Sequence, residues 1–81
     1  MPRFYTHLIN HIADTRDEEG QDFPDVEAAR SSALRAIRGI LAEEVRDGRL
    51  DLRGRVEIAD DGHVVVLTIP FDEALSLQLA P

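Results

Sequence analysis

The side chains best suited to chemistry in this 81-residue chain are its histidines, its arginines and one dense run of carboxylates. His7 and His11 stand four residues apart, a spacing that on a helix would turn two imidazoles toward one metal ion. The surrounding Phe4, Tyr5, Thr6 and Ile9 favour a strand, on which that spacing separates the rings by about 13 Å, too far for a shared ion. His63 follows the Asp61-Gly62 pair and is expected at the surface. The acidic run from Asp14 to Glu27 invites a calcium reading, with Gly20 as the sixth residue of a loop opening at Thr15 and closing at Val26. Both ends of such a loop need a carboxylate and neither has one, so that motif fails. Ser31 and Ser32 lie in the first turns of a helical pattern, not on a strand-to-helix elbow. The five glycines are scattered, so no Gly-rich loop cradles phosphate, and no carboxylate stands in the apolar setting of a tuned acid. A non-enzymatic domain without cofactor or metal is the expectation.

All nine basic residues are arginine, against sixteen acids, for a formal charge of −7. That charge is segregated. Residues 14–27 carry a local −6, and residues 28–55 a local +3. Within the second segment Arg35, Arg38 and Arg46 fall on one side of the helical wheel, with Arg49 just beyond. This row is the candidate contact for an anion or an acidic partner, although pairs such as Glu43–Arg46 would make it a solvated face. A chain at −7 repels polyphosphate, which argues against nucleic acid as its partner. Absence of cysteine removes disulfides, thiolate metal sites and a thiol nucleophile. No apolar run approaches the roughly 18 residues of a membrane span, and Met1 to His7 leads directly into a strand pattern without an apolar signal core. A cytoplasmic protein without membrane contact is expected.

The elements that position these side chains follow from periodicity. Residues 3–12 read as a strand, with Phe4, Thr6, Leu8, Asn10 and Ile12 on one face and Tyr5, His7, Ile9 and His11 on the other. A turn over residues 14–22, with Gly20 at a positive-φ position, leads to a short return strand ending at Phe23. Asp25 is the expected N-cap of a helix over residues 26–47, which Gly48 stops. Its apolar stripe is Val26, Ala29, Ala33, Ala36, Ile37, Ile40 and Leu41, with Leu34 at the edge. Gly39 is accounted for only by packing.

Asp60-Asp61-Gly62 then turns a hairpin between residues 56–59 and 63–71. The second arm, apolar on both faces, reads as a central, doubly covered strand. Leu75, Leu77 and Leu79 alternate with polar residues, so the tail offers a fifth strand to this sheet or to a neighbour's. The predicted architecture is one α+β domain over residues 1–81, ββαββ, a four-stranded antiparallel sheet with room for a fifth strand and one long helix on one face.

The Met-Pro-Arg-Phe-Tyr-x-His opening, the Asp17-Glu18-Glu19-Gly20 turn, Phe23-Pro24-Asp25 followed by Glu27-Ala28-Ala29, and Asp61-Gly62 leading to Ile69-Pro70-Phe71 form an ordered set over almost the whole chain. The set resembles a family of short bacterial proteins classed as a domain of unknown function. That resemblance implies a compact α+β domain that is usually the entire protein, and it carries over no catalytic residue. Pro24 to Ala33 is also similar to the helix start of HicB-type antitoxins, which place three strands before the helix where two are counted here and which usually carry a DNA-binding extension.

One helix covers one face of the sheet and leaves the other, lined by some of Phe4, Leu8, Ile12, Val64 and Val66, in need of cover. In a small domain without staples, self-association supplies it. The chain is therefore expected to be a homodimeric protein–protein interaction or regulatory module, its protein partner unknown, with Leu8, Val64, Val66, Leu75 and Leu77 at the contact. The alternatives are a nucleic-acid-binding or HicB-type regulator that uses Arg35, Arg38, Arg46 and Arg49, and a small enzyme or metal protein.

Overall fold

In the computed structural model, which describes residues 1–10 and 14–80, aromatic and β-branched residues at the start of the chain form strand β1, Arg3–Asn10. The acidic turn pairs with it twice, through β2 (Asp14–Thr15) and β3 (Gln21–Asp22). Helix α1 follows over Val26–Arg46, then strands β4 (Gly54–Ala59) and β5 (Val65–Pro70), and a single 3-10 turn, Phe71–Ala74. The sheet is antiparallel and five-stranded, in the order β2-β1-β4-β5, with β3 also paired to β1. The α+β class, the single long helix among the described residues and the hairpin agree with the sequence. Three strands precede the helix, not two. The fifth strand comes from the divided return strand, while residues 75–80 carry no regular structure. His11 and Ile12, expected in the first strand, lie outside the described residues.

Local chemistry accounts for the ends of α1. The Asp25 carboxylate accepts the Ala28 N–H at 2.9 Å, and Gly48 at φ +86 lets the Arg49 N–H turn back to the Glu44 carbonyl. Ala29, Ala33, Ile37 and Leu41 are buried in steps of four, while Val26 and Leu34 pack at the margin. Ala36, expected in the stripe, is exposed, because it lies a further quarter-turn round from Ile37. Gly39 is exposed too, and a Cβ there would meet nothing within 4 Å, so packing does not explain it. Gly39→Ala is accordingly expected to stabilise the fold by about 1 kcal/mol in denaturant titration, the propensity difference alone.

The helix lies over Phe4, Val56, Ile58 and Ile69, and Phe71 with Ala74 closes the end of this core. Register makes β4 the inner strand. It pairs with β1 from Tyr5↔Ala59 to Asn10↔Gly54 and with β5 from Ala59↔Val65 to Arg55↔Pro70. The second arm of the hairpin is thus a marginal strand, not the central, doubly covered one that its composition suggests. Between the arms, the His63 N–H bonds to the Asp60 carbonyl, and His63, not Gly62, takes the positive φ of 62°. The register shift at Ile58/Ala59 lies beside this turn.

Candidate functional site

The two margins of the sheet are finished differently. Between its pairings with β2 and β3, β1 meets a side chain instead of a strand. Asp17 Oδ2 accepts the Thr6 N–H at 3.1 Å, and Oδ1 accepts the Gly20 and Glu19 N–H groups at 3.0 and 3.3 Å. The Asp17 N–H in turn donates to His7 Nδ1 at 3.1 Å. Partial burial pushes the Asp17 carboxyl up, but donation from Gly20, Thr6 and Glu19 and the nearby His7 ring outweigh it, holding the acid below its ordinary value. Gly20 lets the loop lie this close. Its φ is +72°, and a Cβ there would fall 2.9 Å from both the Arg3 chain and the Tyr5 ring. The acidic loop is therefore a seal along β1.

At the other margin β5 has β4 on one side and, among the described residues, no strand on the other. Its leading end is apolar and open: Val64, Val65 and Val66 are 61 %, 46 % and 45 % exposed. Leu67 and Ile69 pack on the core, and Val66 falls at the register shift, between Val65, which pairs with Ala59, and Leu67, which pairs with Ile58.

Of the side chains expected at a contact, Val64 and Val66 lie together at this margin, and Leu77 is exposed on the tail. Leu8 and Leu75 instead pack against the core. The expected patch on the open face is corrected with them. Phe4 and Leu8 turn toward α1, and the uncovered face presents Tyr5, His7 and Ile9 from β1 and an Arg55–Glu57 ion pair from β4. There His63 stacks on Tyr5 with ring centroids 4.9 Å apart, and His7 stands opposite Glu57 in register. Period two separates the faces of β1 but does not say which one the helix covers, since each mixes polar and apolar residues.

The arginine row divides on inspection of its partners. Arg46 is ion-paired with Glu43, and Arg38 Nε donates to the Ala74 carbonyl at 2.9 Å. Arg35 and Arg49 make no side-chain contact with a carboxylate among the described residues. Beside the row lies an open groove of about 320 Å³ lined by Arg38, Leu41, Ala42, Val45, Leu50 and Leu75. The apolar stripe of the helix continues into this groove past the core, a continuation the wheel alone does not separate from core packing.

Among the described residues, no three His, Asp or Glu side chains are grouped to hold a metal ion, and no helix is long and apolar enough to cross a membrane. The chain matches no curated protein and no solved structure. A family model described as a domain of unknown function, DUF6894, matches residues 3–72. The match takes in the sealed β1 margin, the capped helix, the hairpin and β5, and on that extent the chain belongs to the DUF6894 family.

Proposed function

We propose that this domain is a non-enzymatic protein-interaction module that works as a homodimer, two copies pairing antiparallel along β5. The contrast between the sheet margins carries the reading. One is sealed group by group through Asp17, while the other presents a strand with an unpaired outer margin, opening on exposed Val65 and Val66 with exposed Val64 just before it. Bare apolar margins are liabilities that proteins ordinarily blunt with charge, proline or a bulge. Here Pro70 closes the far end of β5 and the register shift opposite Ile58/Ala59 falls at its leading end, but residues 64–69 carry no charge. A second copy related by a twofold axis presents the same strand in the opposite direction, so the main-chain groups and valines of the two margins complement each other.

Light scattering behind gel filtration tests this at tens of micromolar. The expected mass is twice the 9.1 kDa of the chain. The Val64→Lys/Val66→Lys variant is expected to elute as a folded monomer with an unchanged circular dichroism spectrum. A monomeric wild type contradicts the proposal.

A further inference from the structure

Sixteen acids surround nine arginines in this chain, so no arginine lacks a carboxylate for want of supply. Six of them (Arg3, Arg16, Arg30, Arg46, Arg53 and Arg55) have an acid within ion-pair distance. The other three are Arg35, Arg38 and Arg49, one of which lines a groove and two of which neighbour its lining residues along the chain. Arg38 lines the apolar groove beside α1, Arg35 stands one turn before it, and Arg49 immediately precedes Leu50, which lines the same groove. The groove's apolar wall includes Val45 and Leu50, 59 % and 43 % exposed. Arg38 is also held in place. Its Nε bond to the Ala74 carbonyl anchors the guanidinium, and its terminal nitrogens have no partner among the described residues.

We infer that this groove is a docking site for an acidic amphipathic peptide segment of a partner protein. Aliphatic side chains of the segment fill the strip between Leu41, Val45, Leu50 and Leu75, and its carboxylates pair with Arg35, Arg38 and Arg49. A guanidinium already tethered through one nitrogen loses little freedom when its remaining fork receives a carboxylate, which favours arginine in this position. Charge complementarity selects the occupant. Polyphosphate would meet the same arginines but gains nothing from an aliphatic strip without an aromatic platform. No residue of β5 lines the groove, so this surface is separate from the proposed dimer contact and does not depend on it.

The test is selection from a random displayed peptide library on the wild-type protein, followed by fluorescence anisotropy with the enriched peptides. Enriched sequences are expected to combine Asp or Glu with Leu, Ile or Met. Their affinity should fall about tenfold or more in Arg38→Glu/Arg49→Glu and, separately, in Val45→Asp. It should persist in the Val64→Lys/Val66→Lys variant and weaken with salt. Failure to enrich any peptide, or enrichment indifferent to the groove variants, overturns the inference. So does loss of the wild-type dimer in Arg38→Glu/Arg49→Glu, which would give the groove to a second copy. Retention of labelled duplex DNA through the same arginines would give it to nucleic acid.

Discussion

Asp17→Ala is expected to destabilise the fold by about 2–3 kcal/mol, because it leaves the Thr6, Glu19 and Gly20 N–H groups without their shared acceptor at a partly buried site. For a domain of this size the melting temperature should drop by about 10 °C or more, compared at one fixed protein concentration. The expected lesion is local. The acidic loop comes away from β1 while the hairpin and α1 keep their contacts, so helical circular dichroism persists below the transition. Acid reports on the same residue. The folded-state pKa of Asp17 is depressed, so its contribution is fully present above the ordinary carboxylate value near 4 and is lost as pH falls through the lower folded value. Asp17→Asn should therefore flatten the acid limb of the stability curve below about pH 5 relative to wild type. Parallel curves for the two proteins would remove Asp17 from this role.

Gly54→Ala is expected to cost about 2 kcal/mol in denaturant titration, within the usual range for overpacking a core. A Cβ at Gly54 would stand 2.7–2.9 Å from three carbons of the Phe71 ring, which is itself buried. The ring has no solvent side to retreat to, and moving it disturbs the 3-10 turn that brings Ala74 to the Arg38 guanidinium. Phe71→Leu should relieve part of the clash in the Gly54→Ala background, making the pair of substitutions less costly than their sum. Full additivity would mean that the ring does not limit the site. Opposite signs at Gly54 and Gly39 would separate a glycine required by close approach from one that only weakens its helix.

The features readable in the residues are those whose causes are local. Asp25 caps the helix that follows it, Gly48 stops it, and Asp60 to Gly62 turns the chain between two apolar runs, each through atoms only a few residues apart. The misread features depend on distant partners. Val64 to Ile69 has the composition of a buried strand, yet β1 rather than β5 takes the inner place beside β4. No local pattern encodes that choice. Alternation separates the two faces of β1 without ranking them, so it does not tell that Leu8 packs inward. Asp17 looks like any of seven acids in its segment, and what sets it apart is its bonding to Thr6 and His7, eleven and ten residues away. The arginine row was visible as a row. That Arg46 leaves it for Glu43, while Arg35, Arg38 and Arg49 stay without a carboxylate beside an apolar groove, needed the side chains in place.

In the proposed dimer, one sheet margin is closed from within the chain and the other by a second copy. Residue-resolved amide hydrogen exchange, repeated from low to high protein concentration, distinguishes the two margins. Thr6 and Gly20 are expected to show the same protection at every concentration, because Asp17 holds their N–H groups within one chain. Outward-facing amides of β5 between Val65 and Ile69 are expected to exchange freely when dilute and to gain protection as the dimer forms. Fast exchange along β5 at every concentration, or concentration-dependent protection confined to another surface, would contradict it.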